Sequence, residues 1–73
     1  MKIHWRSVAP DSWQIWLHWN GTNSGRIIGD CQRDNMGFYH TSLEPRGYEL
    51  ARVFRQSHQS MNAARRAVAS RYM

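Results

Sequence analysis

The sequence predicts an α+β domain, a small antiparallel three- or four-stranded sheet packed against a C-terminal helix, and three observations predict it. The first is the segment Trp13-Gln14-Ile15-Trp16-Leu17-His18-Trp19, which holds three of the four tryptophans. Read as an extended strand, it puts Trp13, Ile15, Leu17 and Trp19 on one face and Gln14, Trp16 and His18 on the other. The second is a set of short apolar or β-branched runs separated by turn residues, and the third is a change to helical period near the C-terminus.

Taken in chain order, Ile3–Val8 reads as a short strand. Ala9-Pro10-Asp11-Ser12 then stops it, because Pro and Asp favour a turn. The Trp-rich strand runs from about Trp13 to Trp19. Asn20-Gly21 opens a loop that closes at Ser24-Gly25, and Arg26–Cys31 returns as the next strand. A second turn over Arg33-Asp34-Asn35-Met36-Gly37 leads into Phe38-Tyr39-His40-Thr41, which completes an antiparallel meander. Residues 46 to 56 suit either element: Leu50, Val53 and Phe54 fit a helix face, while Leu50, Arg52 and Phe54 alternate as a strand, with helix or irregular structure the preferred reading. From Ser57 to Tyr72 the period is helical, with Met61, Ala64, Val68 and Tyr72 forming an apolar stripe and Asn62, Arg66 and Ser70 opposite. Ser57 or Ser60 supplies the N-cap, and Ala63, Ala64, Ala67 and Ala69 are strong helix formers. The helix is expected to cover the Trp13, Ile15, Leu17, Trp19 face. Trp16 is then left outside unless the first strand or residues 46 to 56 fold over the second face.

A chain of 73 residues has room for one small core and little for a deep catalytic cleft, so a single domain over residues 1–73 is expected. Cys31 is the only cysteine, which excludes an internal disulfide and a multi-cysteine zinc site and suits a reducing compartment. No apolar run approaches the length of a membrane span, and Lys2, His4 and Arg6 interrupt any signal-peptide core, so an intracellular chain is expected. Ten basic residues, nine of them arginine, outweigh five acids. The excess lies in residues 50 to 73, where Arg52, Arg55, Arg65, Arg66 and Arg71 meet no acid. Such a segment attracts nucleic acid, acidic protein or anionic membrane alike.

Catalytic and metal chemistry find few parts in this pattern. His4, His18, His40 and His58 are dispersed, without the helical pair or Cys-x-x-Cys neighbour of a metal site. His4, His18 and Cys31 are the one set that adjacent strands could bring together. The serines show no His and acid partners at a readable spacing, the five acids are spread over loops, and the glycines form no phosphate loop. A binding module without cofactor or metal is the expectation. Its candidate partner-binding residues are Trp5, Arg6, Trp16, His18, Arg26, Arg65 and Arg66, since a tryptophan rimmed by arginines is the composition of a protein-binding hot spot. A sheet backed by a helix with Arg and aromatic residues on its open face also suits DNA or RNA.

From Met-Lys-Ile-His-Trp-Arg through Trp-Gln-Ile-Trp-Leu-His-Trp to Ala-Ala-Arg-Arg-Ala-Val-Ala-Ser-Arg-Tyr-Met, in length and in its preference for Arg over Lys, the whole chain resembles a small phage-encoded regulator. It is similar to the RNA-polymerase-binding inhibitor and antitermination protein of a lytic Xanthomonas phage. The resemblance implies a non-enzymatic factor in the host cytoplasm that binds the N-terminal part of the polymerase largest subunit, near the RNA exit channel. Such a factor interferes with sigma factor at promoters and helps elongating polymerase pass terminators, alongside host NusA and the emerging RNA. No small-molecule substrate and no membrane enter that picture, and no residue-level motif is carried over from it. A DNA- or RNA-binding domain of a phage or mobile element is the alternative, and an inhibitor of a host defence protein a third reading.

Overall fold

The computed structural model describes residues 2–18, 25–44 and 54–72. In these segments five strands, β1 (Lys2–Ala9), β2 (Ser12–His18), β3 (Gly25–Arg33), β4 (Tyr39–Leu43) and β5 (Phe54–His58), are followed by one helix, α1 (Met61–Tyr72). The strands lie in sheet order β1-β2-β3-β4-β5 with every neighbouring pair antiparallel. The α+β meander with its C-terminal helix is therefore the architecture, with one correction: the sheet has a fifth strand. Residues 54–56, for which helix or irregular structure was preferred, belong to β5, and so do Ser57 and His58, which the helical pattern had taken in. Trp19, loop positions 20–24 and residues 46–53 lie outside the described segments.

Local chemistry sets the turns and the helix start. Between β1 and β2 the reversal falls on Pro10 and Asp11; proline fixes its own φ, and Asp11 takes the left-handed conformation (φ 60) that a short polar side chain tolerates. The β3–β4 turn is built around Asp34, whose Oδ1 accepts from the backbone N–H groups of Met36 (2.9 Å) and Phe38 (3.0 Å), while Gly37 supplies the positive φ of 89° that closes it. Ser60, not Ser57, caps the helix: its Oγ accepts from the Ala63 backbone N–H at 3.1 Å. Ser57 is unavailable because it is still in strand.

The core forms where the alternating face of the sheet meets the stripe of α1. Ile15 and Leu17 of β2, Ile28 and Cys31 of β3, Leu43 of β4 and Val68 of α1 are buried together, with Ile3, Trp5, Trp13, Tyr39 and Tyr72 packed around them. Ala64, also buried, lets α1 approach β4 and β5 closely. Each large aliphatic side chain removed from water here contributes about 1.5–3 kcal/mol, which makes this small cluster the main source of stability. Asn62, Arg66 and Ser70 stay exposed on the far side of α1, as the stripe requires.

One irregularity redirects the side chains of β3. Trp13 pairs with Cys31 and Ile15 with Gly29, but the register then slips, so that Trp16 faces Ile27 and Leu17 faces Arg26. Ile28 is the extra residue of a β-bulge, and it turns into the core at 1% exposure. Simple alternation from Cys31 would have placed Ile27 inside and Ile28 and Arg26 on the opposite face. The bulge reverses all three.

Candidate functional site on the open sheet face

The face of the sheet turned away from α1 carries Lys2, His4 and Arg6 of β1, Gln14, Trp16 and His18 of β2, Ile27 and Asp30 of β3, His40 and Ser42 of β4, and Arg55 and Ser57 of β5, as the pairing registers place them. Among the described residues no element packs over this face. Two groups on it have the geometry of a site.

The first is centred on Trp16. His4 lies directly across from Trp16, Lys2 from His18 and Arg6 from Gln14. The indole of Trp16 and the ring of His18 are stacked, with centroids 5.9 Å apart and planes 22° apart, and His4 meets His18 edge-on at 5.8 Å. Trp16 Nε1–H donates to Gln14 Oε1 at 3.2 Å, which satisfies the one polar atom of the indole and holds the ring along the strand. His4, Arg6, Trp16 and His18 line an open depression of about 330 Å³. Ile27, directly across from Trp16, is 49% exposed and extends the apolar ground. A platform of rings and an isoleucine beside cations suits an occupant with an apolar or planar group and negative charge nearby.

Of the sequence candidates, only Arg6, Trp16 and His18 meet here. Trp5 is placed on the other face, because β1 alternates: it pairs with Ile15, packs against the core, and has the Arg65 guanidinium 5.7 Å above its ring. Arg65 therefore stands on the helix side of the molecule, over Trp5 and away from Trp16. Arg26, turned to the helix side by the bulge, forms an ion pair with Glu44 (Nη1–Oε2 2.7 Å), and the Tyr72 hydroxyl donates to the same carboxylate at 3.4 Å. Arg66 is exposed on α1, on the opposite side of the molecule from Trp16. His4 was the missed member, hidden because its place beside Trp16 depends on the β1–β2 register. Cys31 is buried on the helix side, so His4, His18 and Cys31 do not meet. Among the described residues no three His, Cys, Asp or Glu side chains cluster as metal ligands would.

The second group brings together a serine, a histidine and an acid whose spacing in the sequence is not readable as a triad. His40 Nδ1 lies 2.7 Å from Ser57 Oγ, and His40 Nε2 lies 2.6 Å from Asp34 Oδ2. The β4–β5 register sets His40 directly across from Ser57, and the β3–β4 turn brings Asp34 round to the other ring nitrogen. The His40 hydrogen bond, followed by the Phe38 backbone N–H, holds the Asp34 carboxyl below its usual range, so it is ionised and accepts from His40. Nε2 then carries the proton, and Nδ1 is free to accept the Ser57 hydroxyl proton. Separations of six and seventeen residues hid this array, because its geometry rests on β5.

No protein-family model, curated protein or solved structure matches the chain. Among the described residues no helix is long and apolar enough to cross a membrane.

Proposed function

We propose that the chain is a transcription regulator that docks on host RNA polymerase through the open sheet face, with Trp16 as the anchor and Arg6, His4 and His18 around it. The observation that supports docking is the half-buried Trp16, stacked on His18 beside an open depression that no described element fills. A fold does not require a tryptophan there, and desolvating such a ring is a common source of binding energy between proteins. The choice of polymerase, at the N-terminal part of its largest subunit, comes from the resemblance of the whole chain to the phage inhibitor and antitermination protein. Inhibition of promoter initiation and passage through terminators follow from that choice, with NusA and the emerging RNA as neighbours.

The test is affinity capture from host lysate with and without nuclease, followed by titration of the purified polymerase. Recovery of polymerase in both captures is the expected result. Trp16→Ala should weaken binding by about 2 kcal/mol while the fold is retained, whereas Arg66→Ala should change mainly the salt dependence of association. One observation favours nucleic acid as a second reading: Lys2, Arg6 and Arg55 share the open face with the stacked rings, an arrangement on which single-stranded bases stack. Loss of every partner on nuclease treatment would select it.

A further inference from the structure

We propose that Asp34, His40 and Ser57 form a nucleophilic site in which Ser57 takes an acyl group from small activated carboxylic esters, a chemistry separate from the docking proposed above. Three observations carry it. Both hydrogen bonds of a nucleophile–base–acid array are present and short, 2.7 Å from Ser57 Oγ to His40 Nδ1 and 2.6 Å from His40 Nε2 to Asp34 Oδ2. The acid is fixed, since Asp34 Oδ1 is held by the Met36 and Phe38 backbone N–H groups while Oδ2 faces the imidazole. The nucleophile is accessible: Ser57 is exposed, and the His40 side chain is 46% exposed. The two ring nitrogens have exchanged their usual duties, with the serine on Nδ1 and the acid on Nε2, which leaves the proton path intact because the imidazole passes a proton at either nitrogen.

In the first step Ser57 Oγ bonds to the ester carbonyl carbon and its proton goes to His40 Nδ1, giving an imidazolium that Asp34 stabilises. The carbon–oxygen bond to the leaving alcohol then breaks, and the alcohol oxygen takes that proton from Nδ1, leaving acyl-Ser57. Water reverses the sequence: it gives one proton to Nδ1, its oxygen bonds to the acyl carbon, and the Ser57 oxygen departs with the proton, releasing the carboxylic acid. Water is the one co-reactant, and the step involves no change of oxidation state. Arg55, two residues before Ser57 and on the same face, stands about 7 Å along the strand, within side-chain reach of an oxyanion formed at Ser57. Met36 (80% exposed) and Phe38 (38% exposed), in the turn that carries Asp34, offer apolar contact. An aryl ester of a short acid is thus the class the site takes.

The experiment incubates the full chain with p-nitrophenyl acetate, and separately with an alkyl fluorophosphonate, and maps the adduct by intact mass and peptide sequencing. Modification of Ser57 at least tenfold faster than of Ser7, an exposed serine of β1 in the same molecule, is the expected result. His40→Gln and Asp34→Asn should each slow it by about tenfold or more, with folding checked by amide spectra, and p-nitrophenol should continue to appear after the first equivalent. Labelling of Ser57 no faster than Ser7 overturns the proposal without need of any variant. So does an adduct confined to His4 or His18, or a folded His40→Gln chain labelled at the parental rate. Labelling is read on the isolated chain with no polymerase present, which keeps this test apart from the docking one.

Discussion

The two faces of β2 show how differently one strand can be used. On the helix side Ile15 and Leu17 are 0% and 4% exposed and surrounded by side chains from β3, β4 and α1. On the other side Gln14, Trp16 and His18 are half-buried, and among the described residues each is held by neighbours within the sheet. The first face is constrained by packing, where a change of one methyl group or one charge is felt across the core. Among the described residues the second is constrained by little except strand geometry, and its unusual residues call for a reason outside folding. Substitutions on the two faces should therefore separate cleanly, stability on one side and binding or chemistry on the other.

The largest effect is expected from Val68→Asp. Val68 is 1% exposed and joins α1 to Ile15, Leu17 and Leu43, so a carboxylate there has no charged partner within the cluster. The cost should be on the order of 4 kcal/mol, enough to unfold so small a domain, and circular dichroism should lose both helix and cooperative melting. A parental melting curve would mean that α1 does not close this face.

Next in size is a loss of stability at high pH. Burial, followed by the charge of Asp30, pushes the Cys31 thiol up from 9.0 to about 11. Burial, then Glu44, likewise raises Tyr72 above 10.0. A pKa raised by folding contributes stability that is complete below the unfolded value and lost as pH climbs through the folded one. For Cys31 the displacement corresponds to about 2–3 kcal/mol, lost between pH 9 and 11. The acid limb has the opposite sign. Burial lowers His58 below 6.5, so its contribution is present above that pH and fades as pH falls through the depressed folded value. Asp34 does the same below 3.8. Melting temperature against pH should form a plateau from about 6.5 to 9 with a fall on each side, and Cys31→Ala should reduce the alkaline limb to the part that Tyr72 contributes above pH 10 while leaving the acid limb in place.

Gly29→Ala comes third. A Cβ at Gly29 would lie 2.1 Å from the Ser42 backbone oxygen and 2.8 Å from Leu43 Cδ2, so β4 must move away from β3 to admit it. A cost of about 2 kcal/mol is expected, read from denaturant midpoints. Gly37→Ala is a useful contrast: its added methyl meets nothing within 4 Å, and its whole penalty comes from the positive φ of 89°.

What could be read from the sequence divides along the same line. The period-two pattern of Trp13, Ile15 and Leu17 and the helical stripe of Ala64, Val68 and Tyr72 describe surfaces that must be buried, and the structure buries or half-buries all of them. Ser60 rather than Ser57 as the cap was left open, because the end of β5 is decided by pairing with β4 and not by local propensity. On the open face the sequence placed Arg6, Trp16 and His18 correctly but assigned Arg26 to them, since alternation along β3 cannot foresee a bulge at Ile28. The Asp34–His40–Ser57 array was illegible for a stronger reason. It needs a turn closed by Gly37, a register that puts His40 across from Ser57, and a strand that the helical period of the neighbouring residues had concealed.

The smallest expected effect concerns the contact between Arg65 of the cationic helix and Trp5 of the sheet. Arg65 stands 5.7 Å above the Trp5 ring, in reach of a cation–π interaction, yet its side chain is solvent-exposed, where such contacts are worth about 0.5–1 kcal/mol. Arg65→Ala alone is a poor measure, because alanine is also the better helix former and offsets part of the loss. A double-mutant cycle with Trp5→Leu and Arg65→Met keeps apolar volume on both sides and removes the charge and the ring face separately. The coupling should be about 0.5 kcal/mol and should survive moderate salt, since a cation held over a ring is less screened than a surface ion pair. A coupling of zero would release Arg65 to serve a partner together with Arg66, and the helix would then regain the binding role that its arginines suggest in the sequence.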